Sequence, residues 1–86
     1  MERFSWLKCA VSEGMLADEY AVECRDANDS QISFFAPSTL VNIAKNLVRV
    51  RELDCKEDYC LIYLPMPPME NSGRTVCVKK EQLQVA

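Results

Sequence analysis

The clearest hydrophobic pattern lies in two runs on either side of a short polar break. The first run, Leu47 to Leu53, alternates apolar residues with Arg49 and Arg51, which is the two-residue period of a half-buried strand. The second run, Tyr59 to Leu64, is apolar at both parities, as expected of a strand that is covered on both faces. The break, Asp54 to Asp58, is short and charged. Together the three segments predict a β-hairpin at the centre of the fold.

Four further segments have the residue pattern of strands, namely 4–11, 19–25, 31–36 and 74–79. The first is expected to end in a turn at Gly14, because glycine readily takes positive φ. The short polar side chains of Asp26 to Ser30 favour a hairpin turn between the second and third strands. After the last strand, Lys80 to Gln84 should make a closing turn in which Leu83 covers one end of the core.

A short amphipathic helix is predicted between the third and fourth strands. Pro37 ends the third strand, and the hydroxyl of Ser38 or Thr39 can accept hydrogen bonds from the free amides of a first helical turn. Asn46 tolerates the left-handed conformation that often ends a helix. Apolar residues recur at helical spacing between these limits, at Leu40, Ile43, Ala44 and Leu47. A helix of about two turns is stable only when it packs on a sheet.

Six short antiparallel strands and one helix fit a small β-barrel. Eighty-six residues provide one modest core, so residues 1–86 are expected to form a single domain. Curling the sheet allows its edges to pair. A helix after the third strand resembles the element order of OB-fold barrels, and a one-turn closure after a late strand resembles that of SH3-like barrels. The predicted fold class is therefore mainly β, an SH3-like or OB-like antiparallel barrel.

Bulk composition indicates a globular chain without a membrane partner. The sequence is 49% apolar and 27% charged, which is ordinary for globular proteins and argues against intrinsic disorder. No apolar run reaches the roughly 18 residues that cross a bilayer. Residues Met1 to Lys8 lack the long apolar stretch of a secretory signal. We therefore expect a cytoplasmic protein.

Five cysteines are many for a chain of this size. Their number is odd, no secretory signal is recognised, and four of them lie in strand-like runs, so reduced thiols acting as small apolar residues are expected. Cys55, in the predicted turn, is expected to be an exposed thiol. Cys55 and Cys60 are separated by four residues, but a structural zinc site needs two more ligands, and the chain has no histidine and no second cysteine pair. No metal and no cofactor are predicted.

Catalysis is not predicted. Without histidine, a nucleophilic serine or cysteine would depend on lysine or a carboxylate as its base, and no nucleophile elbow, P-loop or dinucleotide fingerprint is present. The acidic pairs Asp18–Glu19 and Glu57–Asp58 lie in predicted turns, where solvated charge is the ordinary explanation. Neighbouring residues on a strand also point to opposite faces, which does not suit a carboxylate dyad.

Single-stranded nucleic acid is the alternative partner. The formal net charge of -3 disfavours phosphate binding, yet Arg49 and Arg51 share one strand face, and small barrels bind single strands on basic, aromatic sheet faces. Further cations and aromatic residues occur at Arg74, Lys79, Lys80, Phe34, Phe35, Tyr59 and Tyr63. Acids lie among the cations, so the local charge is expected to be close to neutral, at Glu52, Asp54, Glu57, Asp58 and Glu81.

Another protein is the favoured partner. The loop 65–73 contains three prolines within four residues, which stiffens the backbone, and two flexible methionines. A stiff segment loses little entropy when it docks. For the loop itself, the sequence favours a lid, in which the two methionines cover the open end of the core, over a docking segment. The predicted function is a small adaptor domain without catalysis, with partner-binding residues Met66, Pro67, Pro68, Met69, Arg49 and Arg51.

Overall fold

The computed structural model describes residues 3–70 and 73–85. The predicted domain 1–86 and the predicted loop 65–73 also include residues 1, 2, 71, 72 and 86, which lie outside the described residues. Over the described ranges the chain forms strands joined by turns and two short 3-10 segments, Ser38–Leu40 and Lys80–Gln82. The strands are β1 Arg3–Lys8, β2 Ala10–Glu13, β3 Glu19–Arg25, β4 Gln31–Pro37, β5 Val41–Asn42, β6 Leu47–Lys56, β7 Tyr59–Tyr63, β8 Thr75–Lys79 and β9 Leu83–Val85.

The strands form two antiparallel sheets. The first sheet has the order β8-β7-β6-β1-β9, with β5 also paired to β6, and the second has the order β2-β3-β4. The mainly β class is therefore confirmed. Over residues 3–70 and 73–85 no closed barrel is found, so the predicted barrel is not confirmed.

The core lies between the inner faces of the two sheets. The first sheet contributes mainly aliphatic side chains from every second position, and the second sheet contributes Phe34 with smaller residues around it. The buried cluster contains Leu7, Val22, Cys24, Ile32, Phe34, Ala36, Val48, Val50, Cys60, Ile62, Leu64 and Val78, with Leu83 packed against it. This alternation leaves the opposite face of each sheet facing outward.

The central hairpin is confirmed, but its turn is shorter than predicted. Strands β6 and β7 are joined by Glu57 and Asp58 alone, and Glu57 takes a φ of 57°. The expectation that the second run is covered on both faces is wrong. Ile62 is fully buried whereas Leu61 is 42% exposed, because Ile62 faces the core and Leu61 points to the opposite face of the sheet.

The predicted first strand, 4–11, is divided at Cys9 between the two sheets. Lys8 pairs with Leu47 in the first sheet, and Ala10 pairs with Glu23 in the second. Cys9 itself donates its backbone N–H to the carbonyl oxygen of Asn46 at 3.0 Å. The strand pattern was therefore correct, and the change of sheet was not expected.

Gly14 does not use its freedom to adopt positive φ, so that part of the prediction is wrong. A Cβ at this position would lie 2.7 Å from the backbone oxygen of Glu19. Glycine is needed here for close backbone approach.

The predicted helix is wrong. Ser38–Leu40 forms one 3-10 turn, after which Val41 and Asn42 pair with Val48 and Leu47. β-branched residues favour this extended pairing over a short helix. Ile43, which completes the helical spacing, is 52% exposed, so the spacing does not produce a buried face. Asn46 adopts the expected left-handed conformation, with φ 56°, but it ends a four-residue turn before β6.

Candidate functional site

The outward face of the first sheet brings together arginines and aromatic rings from β1, β6 and β7. Phe4 lies opposite Arg51, Trp6 opposite Arg49, and Arg51 opposite Tyr63. These positions alternate along their strands with the buried positions of the core, so all five side chains lie on the same face. Together with Arg74, which follows the loop after β7, they are called the arginine–aromatic face below.

Three guanidinium groups of this face stack on its rings. Arg49 Cζ lies 4.1 Å from the centre of the Phe4 ring, and Tyr63 has Arg51 at 5.1 Å and Arg74 at 4.4 Å. A guanidinium above an aromatic ring is attracted by the negative charge of the ring face, with an energy of about 0.5–1 kcal/mol when exposed. These contacts hold the arginine side chains over the sheet.

Arg74 also closes the base of the loop that follows β7. Its Nε and Nη2 donate to the carbonyl oxygen of Leu64 at 3.1 and 3.0 Å, and Nη2 donates to that of Pro65 at 2.7 Å. The backbone N–H of Leu64 in turn donates to the carbonyl oxygen of Arg74 at 2.8 Å. Arg74 therefore connects the arginine–aromatic face to the loop.

Two adjoining cavities form a groove along this face. The first has a volume of about 330 Å³, and its lining includes Arg49, Arg51, Tyr63 and Arg74. The second is lined by Phe4, Trp6, Thr39 and Arg49. Phe4 and Arg49 line both cavities, so the two cavities adjoin at this stacked pair. Together, from Arg74 to Trp6, they are called the groove below. This shape suits an extended ligand.

The outward face of the first sheet carries more cations than carboxylates at its paired positions. At the outward paired positions of the first sheet, the described residues include five cations and one carboxylate, namely Lys8, Arg49, Arg51, Lys56, Lys79 and Asp54. Glu52, which the sequence places among these cations, belongs to the inner face, where the hydroxyl of the buried Ser5 donates to its Oε2. Glu52 therefore lies on the opposite face from Arg49 and Arg51, whereas Asp58 and Glu81 line a cavity together with Lys79 and Lys80.

The segment 65–70, called the proline–methionine loop here, is fixed to β4 by backbone contacts. Met69 donates its N–H to the carbonyl oxygen of Ser33 at 2.8 Å, and the N–H of Ser33 donates to Glu70 Oε1 at 2.8 Å. This second hydrogen bond, from a backbone amide to the charged form, lowers the pKa of the Glu70 carboxyl. The loop is thus held along the edge of the second sheet.

The methionines of the loop face outward. Met66 is 40% exposed and Met69 61% exposed, whereas Pro68 between them is buried. Met66 also lines a shallow apolar cavity with Leu16 and Phe35. Pro68 is therefore the buried residue of this segment, and the two methionines present flexible apolar side chains to the surroundings.

The structure places the predicted binding residues in two neighbouring regions. Arg49 and Arg51 lie together in the groove, and Met66 lines a different cavity. Pro65, at the start of the loop, lines the groove beside Arg74. The two regions therefore meet at the base of the loop.

Sequence reasoning missed Phe4 and Trp6 and misplaced Phe34. Of the proposed base-stacking residues, Phe34 is buried in the core and Phe35 belongs to the second sheet. Phe4 and Trp6 occupy alternate positions of the predicted strand 4–11, which was a usable signal. Their neighbours across the sheet depend on the register of β1 with β6, which the sequence does not reveal.

Two of the cysteines are joined, which corrects the expectation of five reduced thiols. Cys55 and Cys60 face each other across β6 and β7 with Cα atoms 4.0 Å apart and form a disulfide. Cys55 is therefore not the exposed thiol that was expected. Cys9, Cys24 and Cys77 are free.

The disulfide lies beside a carboxylate. The ligand atoms of Glu52, Cys55 and Cys60 all lie within 4.8 Å of one another. Within the described residues these three form the group whose ligand atoms lie close enough to share a metal ion, but in this structure the two sulfurs are bonded to each other and are not thiolates.

Comparison with family models, with curated proteins and with solved structures finds no match to this chain.

Among the residues that the structure describes, no helix has the length and apolar character needed to span a bilayer.

Proposed function

We propose that this chain is a small cytoplasmic adaptor domain, without catalytic activity, that binds another protein by holding an extended acidic segment in the groove of the arginine–aromatic face. The observation that carries the proposal is that three arginine–ring contacts lie at two adjoining cavities on one face of the first sheet. An SH3-like or OB-like arrangement of the strands is part of the same proposal.

The composition of the groove supports protein binding. Arginine, tyrosine and tryptophan are enriched among the residues that supply most of the binding energy at protein interfaces. A guanidinium group can bind a carboxylate through two parallel hydrogen bonds. Because Arg49 and Arg51 already rest on Phe4 and Tyr63, less side-chain freedom is lost when a ligand arrives.

The proline–methionine loop supports the same function through a second contact region. Met66 and Met69 are exposed on a loop that is fixed by Ser33 and Arg74. Methionine side chains adapt to irregular apolar surfaces. Because both methionine side chains are exposed, the loop fits a docking segment better than a lid on the core. We therefore propose that apolar residues flanking the acidic segment contact Met66 and Met69.

The charge distribution supports an acidic partner segment. The outward face of the first sheet is basic, whereas the segment 10–37 carries six carboxylates and one arginine. An acidic peptide is therefore attracted to the groove and repelled by the second sheet, which favours one orientation of binding.

Single-stranded nucleic acid is the second candidate ligand. Phe4, Trp6 and Tyr63 lie on one sheet face beside cations, which is the arrangement that stacks bases and contacts phosphates in other small β domains. The formal net charge of -3 opposes the approach of a polyanion. We therefore favour the peptide, and the experiment includes both ligands.

The test compares two matched peptide sets and an oligonucleotide. Fluorescein-labelled peptides with alternating acidic and apolar residues, the same peptides with Gln and Asn in place of the acids, and a single-stranded oligonucleotide are titrated with the protein by fluorescence anisotropy. We expect the acidic peptides to bind. The double substitution Arg49→Glu with Arg51→Glu should lower the affinity for these peptides at least about tenfold, because it replaces electrostatic attraction with repulsion.

The control carries the same change of charge outside the groove. Lys45 and Lys80 are both exposed, and neither lines the two groove cavities, so Lys45→Glu with Lys80→Glu should leave peptide affinity within about twofold. Equal binding of acidic and neutral peptides, or unchanged affinity of the groove variant, contradicts the proposal. Oligonucleotide binding that requires Arg49 and Arg51 favours the second candidate.

A further inference from the structure

We propose that Glu52, Cys55 and Cys60 form a zinc site when the disulfide is reduced. The site is separate from the proposed binding groove and does not depend on that function. It lies on the inner side of the central hairpin, whereas the groove lies on the outer side. Cys55 and Cys60 are directly opposite each other, and Glu52 precedes Cys55 by three positions on the same strand.

A β-bulge explains how Glu52 and Cys55 reach the same face. In a regular strand, residues three positions apart point to opposite faces. The pairing of β6 with β7 shifts between Glu52 and Asp54, where one extra residue is accommodated. Because of this extra residue, the side chains that follow the bulge point to the face opposite to the one that regular alternation would give them. The carboxylate of Glu52 and the sulfur of Cys55 therefore both lie on the inner face.

The carboxylate is already oriented toward the sulfurs. Ser5, which is 3% exposed, donates its hydroxyl to Glu52 Oε2, and Glu52 Oε1 lies 3.2 Å from Cys55 Sγ. A disulfide sulfur carries no hydrogen to donate to this oxygen. After reduction, the thiol of Cys55 can donate a hydrogen bond to Glu52 Oε1, and the thiolate can bind a cation together with this oxygen. A hydrogen bond that orients a ligand from behind is a regular feature of metal sites.

The donor set favours zinc over magnesium and calcium. Two thiolates and one carboxylate match the sulfur and oxygen ligands that Zn²⁺ accepts. Magnesium and calcium prefer sites built from oxygen atoms alone, and thiolate ligands disfavour them. Cys60 is buried while Glu52 and Cys55 are half-buried, so a water molecule can complete a four-coordinate site from the exposed side.

Formation of the site requires reduction first. A dithiol reductant transfers two electrons and two protons to the Cys55–Cys60 disulfide, which becomes two thiols, while the reductant becomes its own disulfide. Zn²⁺ then displaces both thiol protons to solvent and forms two zinc–sulfur bonds. The disulfide and the metal site are thus alternative states of the same pair. Reducing compartments such as the cytoplasm favour the thiol state.

The test is a metal titration of the full chain. The protein is reduced with a dithiol, the reductant is removed without oxygen, and Co²⁺ is added as a spectroscopic substitute for Zn²⁺. We expect one Co²⁺ per chain, thiolate-to-cobalt charge-transfer absorption, tetrahedral visible bands, and loss of both signals when Zn²⁺ is added. The oxidised protein should show none of these signals.

Three variants separate a ligand role from a structural one. Cys55→Ser should lower the affinity for Zn²⁺ by more than about tenfold and remove part of the charge-transfer absorption. Glu52→Gln can still accept the Ser5 hydrogen bond, and it should weaken metal binding and shift the visible bands. Cys77→Ser is the matched control, because this exposed thiol lies on the outward face of β8. It should bind the metal as the unchanged protein does.

Three outcomes would overturn the proposal. The first is a reduced protein that binds no Co²⁺ at equimolar concentration, and the second is equal metal binding by the oxidised protein. The third is a Cys55→Ser variant that is folded by circular dichroism and binds the metal as tightly as the unchanged protein. Peptide binding at the groove is measured separately, so either proposal can fail while the other stands.

Discussion

At the scale of single residues, burial separates the free cysteines by their chemistry. Burial raises the pKa of Cys24 to about 12 and that of Cys9 to about 11, because the charged thiolate is poorly solvated inside the protein. Cys77 is exposed. The buried thiols therefore stay protonated at neutral pH, and Cys77 is the free thiol most accessible to reagents.

The raised pKa of Cys24 predicts a loss of stability at alkaline pH. The ordinary value is 9.0 and the folded value about 12, so the unfolded chain releases this proton at lower pH than the folded chain. The contribution is fully present below pH 9 and is lost as the pH rises toward 12. Denaturant unfolding measured across this range should show a smaller loss of stability for Cys24→Ala than for the unchanged protein.

The control for this measurement is Cys77→Ala, which removes an exposed thiol instead of the buried one. Other groups also titrate in this range, so the difference between variants is the quantity of interest. Identical slopes for Cys24→Ala and the unchanged protein would contradict the assignment.

At the scale of elements, the proline–methionine loop combines a hydrogen-bonded backbone with exposed side chains. Hydrogen bonds to Ser33 and from Arg74 hold the backbone, and Pro68 is buried. The exposed methionines add little to the core. Stability and binding should therefore depend on different residues of the same loop.

Replacing Met66 and Met69 together with serine should leave the free energy of unfolding within about 1 kcal/mol, because exposed side chains contribute little to stability. Affinity for peptides with apolar flanking residues should fall. Thermal and denaturant unfolding measure the first effect, and fluorescence anisotropy measures the second.

The matched comparison for the loop is Arg74→Gln, which loses charged hydrogen bonds to Leu64 and Pro65. It should destabilise the protein by about 1.5–3 kcal/mol. A larger loss of stability in the methionine variant than in Arg74→Gln would support the alternative of a core lid.

Sequence patterns predicted the elements that local chemistry determines. Asp26 closes its hairpin as expected, because its Oδ1 accepts from the N–H groups of Asn28 and Ser30, both at 2.9 Å. The division at Cys9 and the extra strand Leu83–Val85 depend on pairing with distant strands. Local periodicity carries no information about such partners.

The candidate site was predicted only in part for the same reason. The alternation around Arg49 and Arg51 placed both on one wet face, and the structure confirms that they share a face. Phe4 lies beside these arginines because β1 pairs with β6, and the sequence does not reveal that pairing. The inward position of Glu52 follows from a bulge, and a single displaced residue leaves no clear mark in the sequence pattern.

At the scale of the whole molecule, the charges are separated. The segment 10–37, which contains β2 to β4, has six carboxylates and one arginine, whereas the outward face of the first sheet is basic. A formal net charge of -3 therefore describes neither side. Separated charges of this kind orient a charged partner during approach and act mainly on the association rate.

Raising the salt concentration should therefore slow the association of an acidic peptide more than it speeds dissociation. From about 50 mM to about 500 mM NaCl the screening length falls several-fold. Stopped-flow fluorescence gives both rates. The Arg49→Glu with Arg51→Glu variant should show a flatter or reversed dependence, and equal salt dependence of the two proteins would contradict electrostatic steering by the groove.

The passage of the chain through Cys9 limits how this domain can be divided. One residue separates a strand of the first sheet from a strand of the second, and Asn46 binds the crossing residue and the strand that follows it, accepting from Cys9 at 3.0 Å and from Val11 at 3.3 Å. Neither sheet is an exchangeable module. Recombination between related genes, or a graft made in the laboratory, has to carry residues 3–13 as one uninterrupted piece.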